Sequence, residues 1–203
     1  SREFRYHIDS AGSLRTPRDT EFPAIEAAFD TWRTLSATCS DFTFVRGPDV
    51  SRPKVGYIVG GENQNIITFR ETACQDVVPF DDPCIEADTC ANDYSCWEHG
   101  DLTIGLTSTT YTKERGIVVD ADIELNASQP GGILGFLFTT VSSPICEGLP
   151  NPDCVATDLQ NTMTHELGHA MGLDHVFEAL STMEASAPHG DTDKRVLDLG
   201  PSA

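Results

Sequence analysis

The most informative run of the sequence is His165-Glu166-Leu167-Gly168-His169-Ala170-Met171-Gly172-Leu173-Asp174-His175. Side chains four residues apart on a helix project from the same face, one turn apart, so His165 and His169 can reach one ion. Zn²⁺ takes histidine nitrogens as ligands at about 2.0–2.1 Å. The run therefore predicts a zinc site built on a helix.

The end of the same run predicts a third ligand and an open coordination position. Gly172 accepts the positive φ that a sharp exit from the helix requires, and the chain then reaches His175. Three histidines leave the fourth tetrahedral position free, as in catalytic zinc sites. Glu166 projects beside the metal and is placed to accept a proton from water. HExxH alone occurs by chance in many proteins, but five matched positions favour zinc over unrelated histidines.

The segment before this run predicts where the helix begins. Thr157 is a suitable N-cap, and Gln160 three residues later completes a capping box. The helix should extend from Asp158 to about Met171 and stop at Gly172.

The rest of the chain alternates between short strands and one further helix. Pro23 opens a helical run in which apolar residues recur at helical spacing from Ile25 to Trp32. Residues 71–99 are rich in Cys, Asp and Pro and predict a long loop pinned by disulfides. Strands are predicted at Phe4–Ile8, Phe42–Val45, Val55–Val59, Ile66–Arg70, Leu102–Tyr111 and Ile117–Leu125.

Length and charge limit the function classes. The 203 residues suffice for one domain, and no apolar stretch approaches the roughly 18 residues of a membrane helix. Thirteen Lys and Arg against 32 Asp and Glu give a net charge of −19, which argues against nucleic acid and anionic membrane as partners. The chain starts at Ser1 without a basic, apolar leader, so we expect any signal or pro-segment to have been removed.

Seven cysteines indicate an oxidising compartment. They lack the CxxC pairing of a zinc knuckle, so disulfides are favoured over a cysteine zinc site. Cys146 and Cys154 flank a turn-forming run that can bring the two sulfurs together. The connectivity of the others stays open, and Cys39 is the residue that we expect to remain unpaired.

A family resemblance follows from these residues. His165 to His175 resembles the HExxHxxGxxH signature of the metzincin metalloproteases, and Ser181-Thr182-Met183 resembles their Met-turn. Met183 lies eight residues after His175, a spacing similar to that of the matrixin branch. The opening strand, the helix and Phe42–Phe44 also resemble the start of matrixin catalytic domains.

The resemblance implies an α+β fold of the zincin type. It implies a twisted five-stranded mixed sheet, an active-site helix and a mostly irregular lower subdomain. Residues 1–203 then form a single metalloprotease catalytic domain, with an upper subdomain over about 1–172 and a lower one over about 173–203.

The resemblance also implies a function. The chain is expected to be a secreted, monomeric zinc-dependent endopeptidase that hydrolyses peptide or protein substrates, with Glu166 as general base. The alternative is a latent zymogen or a zinc-bearing binding module that is inactive as isolated. An extended peptide would pair with the sheet edge at Ile104, Gly105, Leu106 and Thr107. Residues 176–182, with those after Met183, are expected to line the pocket for the side chain that follows the scissile bond.

A second metal is predicted more weakly. Asp120, Asp122 and Glu124 share one face of a predicted strand, opposite Ala121, Ile123 and Leu125. These carboxylates could bind Ca²⁺ or form a solvated acidic face, and the acidic loop over residues 81–93 is another candidate.

Overall fold

A computed structural model of the chain describes residues 2–40, 42–132 and 135–197. Its strands are β1 (Arg2–Ile8), β2 (Phe42–Arg46), β3 (Asn65–Arg70), β4 (Thr72–Ala73), β5 (Cys96–Trp97), β6 (Gly105–Thr112), β7 (Ile117–Asn126), β8 (Phe138–Thr139) and β9 (Thr157–Asp158). Its helices are α1 (Glu21–Cys39), α2 (Cys74–Val77), α3 (Cys84–Ala87), α4 (Cys90–Tyr94) and α5 (Leu159–Ala170). Three 3₁₀ turns cover Pro17–Asp19, Pro130–Gly132 and Asp193–Arg195. Within these ranges no helix is long and apolar enough to cross a membrane.

Five strands form one mixed sheet in the order β2-β1-β3-β7-β6. The first four pair in parallel, and β6 runs antiparallel to β7 at one edge. In β7 the predicted alternation is present, because Ala121, Ile123 and Leu125 face the main core. The sheet and helices confirm the predicted α+β class.

Helices α1 and α5 bury their apolar faces in the same core as the sheet. In α1, Ile25, Ala28 and Phe29 are fully buried, and the ring of Phe29 stacks on Tyr6 of β1 at 3.6 Å between centroids. Trp32 completes this face, and its indole N–H donates to the carbonyl oxygen of Thr164 in α5 over 2.9 Å. This contact fixes the two helices side by side and sets the position of α5.

The predicted strand at Val55–Val59 is wrong. Gly56 has a φ of +102°, and the segment forms no ladder. Side chains take the place of a neighbouring strand: Asn92 bonds both the N–H and the carbonyl of Val55, and Asp122 accepts from the N–H of Gly56 over 2.6 Å. Side-chain partners that satisfy backbone groups in this way remove the need for a neighbouring strand.

Residues 71–99 are pinned by disulfides, as predicted, but they also contain short helices and strands. Cys74 pairs with Cys96 and Cys84 with Cys90, while Cys146 pairs with Cys154 as the turn between them predicts. The side chain of Cys39 lies outside the described part of the chain, so its unpaired state stays a prediction.

Candidate metal centre

Helix α5 begins one residue later than predicted. Its N-cap is Asp158 rather than Thr157, which belongs to β9, and the Asp158 carboxylate accepts from the N–H of Asn161 over 2.8 Å. A second contact explains the choice, because Arg195 donates to the same carboxylate through Nε at 2.8 Å and through Nη2. An anion at a helix N-terminus is also favoured by the helix dipole. The capping box with Gln160 is therefore wrong.

The other end of α5 turns the chain back toward its own face. Gly172 has a φ of +91°, and the N–H of Leu173 donates to the carbonyl oxygen of Gly168 over 3.0 Å. This is the left-handed exit that the glycine predicts. It carries His175 back beside the helix.

The three histidines of the motif meet at one point. The Nε2 atoms of His165 and His169 lie 3.2 Å apart, those of His165 and His175 3.2 Å, and those of His169 and His175 3.1 Å. Nitrogen atoms bound to one tetrahedral zinc at about 2.0–2.1 Å lie roughly 3.3 Å from one another. The spacing of the three nitrogens therefore fits a single zinc ion.

The outer nitrogens of two of these rings fix which atom carries the proton. His165 Nδ1 lies 2.7 Å from the carbonyl oxygen of Thr182, and His169 Nδ1 lies 2.8 Å from that of Leu173. A carbonyl oxygen only accepts, so each Nδ1 donates and each neutral ring presents a bare lone pair at Nε2. Burial lowers the pKa of His165 to about 4, which keeps that ring neutral at pH 7.

Converging lone pairs repel one another unless a cation lies between them. In the neutral tautomers that these carbonyls select, neither Nε2 carries a proton, so the short contact between the Nε2 atoms of His165 and His169 is not a hydrogen bond. Carbonyl oxygens that accept from the outer ring nitrogen in this way orient histidine ligands in metal sites. Within the described chain, the group of His165, His169 and His175 is the one whose ligand atoms lie close enough together to hold a metal ion.

Glu166 lines the same cavity as the three histidines and is 4% exposed. Its Oε2 accepts from the hydroxyl of Thr107 in β6 over 2.7 Å. Burial raises the pKa of the Glu166 carboxyl, while the Thr107 hydrogen bond and the nearby His169 and Lys194 oppose that rise. Gly105 gives the carboxylate room, since a Cβ there would come within 2.9 Å of Glu166 Oε1.

Met183 packs beneath α5. A Cβ on Gly168 would lie 2.2 Å from its sulfur, so glycine is needed for this close approach. The backbone around Met183 is held by the N–H of Val176, which donates to its carbonyl over 3.0 Å. The preceding carbonyl, that of Thr182, is the one that His165 contacts. The turn thus positions a histidine through its backbone and supports the helix through its side chain.

A cleft of about 540 Å³ joins the histidines and Glu166 to the edge strand. The residues predicted to bind substrate all line it: Ile104, Gly105, Leu106 and Thr107. Opposite the edge strand, the wall of the cleft is formed by Ala185–Ala187. Residues 176–182 are not among its lining residues. The predicted pocket wall is therefore correct for the residues after Met183 and wrong for 176–182. Lys194 also lines the cleft, and no motif in the sequence pointed to it.

Asp122 and Glu124, two of the acidic residues of β7, contact different partners. Asp122 accepts from the N–H groups of Gly56 and Ile66, and Glu124 pairs with Arg70 through Nε at 2.5 Å. Burial opposes ionisation of Glu124, but its contacts with His99 and Arg70 outweigh this and lower its pKa. Because Arg70 already balances the charge of Glu124, calcium binding at Asp120, Asp122 and Glu124 stays a prediction.

A peptidase family model described as Matrixin matches residues 1–199 of the chain. No curated protein matches the chain significantly. The match covers the whole sheet, both long helices and the three histidines.

Proposed function

The chain belongs to the matrixin family of zinc-dependent metalloendopeptidases, and we propose the site and mechanism by which it cleaves peptides. His165, His169 and His175 hold the catalytic zinc, and Glu166 is the general base. The observation that carries the proposal is the convergence of three Nε2 atoms within 3.2 Å beside a buried carboxylate.

Zinc bound by these nitrogens would supply Lewis acidity and lower the pKa of water toward neutrality. Glu166 accepts the proton of the attacking water and delivers it to the leaving amine. Thr107 holds the carboxylate at one oxygen, which leaves the other oxygen free to take the proton. The base is thereby oriented before substrate arrives.

The edge strand supplies the peptide-binding surface. Among the described strands β6 is an edge that pairs with β7, so its outward backbone groups from Gly105 to Thr107 are open to an extended substrate. Antiparallel pairing there would lay the peptide along the cleft with its carbonyl near the histidines. We further propose secretion, supported by three disulfides, and action as a monomeric single domain divided near residue 172.

Glu166→Ala tests the mechanism. We expect this variant to keep its zinc and to lose peptide cleavage by at least about a hundredfold in kcat, because proton transfer by a positioned base contributes that much. The assay is digestion of a diverse peptide library, with and without chelator, followed by mass spectrometry. Glu114→Ala, an exposed carboxylate on the turn between β6 and β7, is the matched control and should cleave normally.

Undiminished cleavage by Glu166→Ala would contradict the role of the carboxylate. The alternative of a latent or purely zinc-binding module predicts a different result, since even the wild-type protein would then bind zinc and leave every peptide intact.

A further inference from the structure

A buried lysine forms part of the cleft wall. Lys194 is 3% exposed and lies in the 3₁₀ turn Asp193–Arg195. Its backbone N–H donates to Oδ1 of Asn161 in α5 over 2.7 Å, which ties the turn to the helix that carries the histidines. Lys194 therefore has a fixed position in the same cleft as His165 and Glu166.

The ammonium of Lys194 has two backbone acceptors, and the carboxylates of Asp191, Glu184 and Glu166 favour its charged form electrostatically without the direct contact of an ion pair. Its Nζ donates to the carbonyl oxygens of Glu184 and Ser186, the latter at 2.8 Å. An ammonium has three N–H donors, so one remains. In the described residues no carboxylate forms an ion pair with it. Buried lysines are almost always paired, so one that lines a cleft without a contacting carboxylate can take a carboxylate partner from a ligand.

The surrounding wall is neutral. Phe136, Ala185 and Ala187 contribute apolar surface, and Asn161 and Thr162 contribute uncharged polar groups. Glu166 also lines the cleft, where its carboxylate accepts from Thr107 and interacts electrostatically with Lys194, with no direct ion pair between the two in the described residues. Such a wall can bury the methylene groups of an acidic side chain and leave its carboxylate for the lysine.

We propose that this part of the cleft receives an acidic side chain of the substrate, Asp or Glu next to the cleaved bond, whose carboxylate pairs with Lys194. The inference rests on the proposed peptidase function and names its substrate class. The net charge of −19 opposes the approach of acidic peptides at long range. Screening at 0.15 M salt confines that repulsion to about 8 Å, so the local lysine decides the preference.

The first experiment compares isosteric substrates of the wild-type protein. The best peptide from a library is resynthesised with acetyl and amide ends, and each residue flanking the cleaved bond is set to Glu, Gln, Asp, Asn or Leu. We expect kcat/KM to favour Glu over Gln, or Asp over Asn, by roughly tenfold or more at one position, because the amide oxygen can accept from the ammonium but supplies no counter-charge. A parallel set with free C-termini separates a side-chain carboxylate from a terminal one.

Equal rates for each acid and its amide, or faster cleavage of the amides, would overturn the inference while leaving the peptidase function intact. This comparison needs no variant, so it holds even if replacing Lys194 disturbs folding.

The second experiment uses Lys194→Met, with Lys113→Met as a matched control on the exposed turn between β6 and β7. We expect Lys194→Met to lose the preference for acid over amide and Lys113→Met to keep it. A preference that persists in folded Lys194→Met, judged by its circular dichroism and zinc content, would contradict the assignment.

The third experiment measures binding without turnover. Fluorescence anisotropy of labelled Glu and Gln peptides on Glu166→Ala should show roughly tenfold tighter binding of the Glu peptide. This preference should vanish in Glu166→Ala combined with Lys194→Met. Equal affinities for both peptides on Glu166→Ala would refute the inference. If the wild-type protein cleaved no peptide at all, the proposed function would fail, and this binding comparison would still decide whether the lysine recognises acids.

Discussion

The hydroxyl of Thr107 lies 2.7 Å from Oε2 of Glu166, and this contact joins the edge strand to the helix that carries the candidate base. The same hydroxyl lies 3.1 Å from the backbone carbonyl of Glu166. Thr107 therefore links the proposed peptide-binding edge to the proposed general base.

Thr107→Val keeps the shape of the side chain and removes this hydrogen bond. We expect kcat to fall about tenfold, because a carboxylate that is no longer oriented spends less time in the reactive geometry. KM and zinc content should change little, which steady-state kinetics and elemental analysis will show. Thr109→Val, an exposed threonine of the same strand, is the control. An unchanged kcat in Thr107→Val would mean that the contact does not position the base.

Gly168→Ala should destabilise the protein. The added Cβ would lie 2.2 Å from the sulfur of Met183 and 3.4 Å from the ring of Trp32, so the turn below the helix must shift. Overpacking of this kind costs about 1–3 kcal/mol in free energy of unfolding, measurable by urea denaturation. Gly100→Ala meets only a threonine hydroxyl at 3.5 Å and should be tolerated. Equal stability of the two variants would show that Met183 does not constrain this position.

Asp158→Ala removes the N-cap of α5 and the partner of Arg195 together. The side chain of Asp158 is fully buried, so the variant leaves a partly buried guanidinium without its anion. Breaking a buried ion pair costs about 3–5 kcal/mol, and we expect a loss near that size in the free energy of unfolding. Asp30→Ala breaks the exposed pair with Arg33 and should have almost no effect. A small change in Asp158→Ala would show that the cap contributes little.

The carboxyl of Asp122 should make stability depend on pH. Burial, reinforced by Asp120 and Glu124 and opposed by two backbone hydrogen bonds, raises its pKa to about 7 from an ordinary value of 3.8. The folded state then binds the proton more tightly than the unfolded state. This contribution is fully present below about pH 4 and is lost as pH rises through about 7.

Asp122→Asn removes the titration and keeps an accepting oxygen. In metal-free buffer, the wild-type free energy of unfolding should fall relative to the variant between pH 5 and pH 8, while Asp101→Asn, an exposed control, should follow the wild type. Parallel pH profiles of wild type and Asp122→Asn would rule out this titration. Added Ca²⁺ that stabilises the wild type alone would support the proposed calcium site.

The elements that were predicted from sequence are those whose signal is local. The 3.6-residue period of Ile25, Ala28, Phe29 and Trp32 and the two-residue alternation of β7 need only neighbouring positions. The histidine spacing is local too, since His165, Glu166 and His169 lie on one helix and Gly172 determines where that helix ends.

The features that sequence reasoning missed depend on contacts between distant segments. The apolar run at Val55–Val59 favours a strand, yet Asn92 and Asp122 bond its backbone from 37 and 66 residues away. Thr157 and Asp158 are both good N-caps, and Arg195 selects the second. Lys194 lies in a run of charged residues that looks solvated, and only the folded chain shows that it is buried.

Zinc stoichiometry measured by elemental analysis tests the convergence of the three histidines most directly. The purified protein, dialysed against metal-free buffer, should retain about one zinc per chain, and alanine at His165, His169 or His175 should each reduce it to near zero. His189→Ala, a histidine outside the site, should leave it unchanged. A wild-type protein without zinc, or His→Ala variants that keep it, would contradict the account.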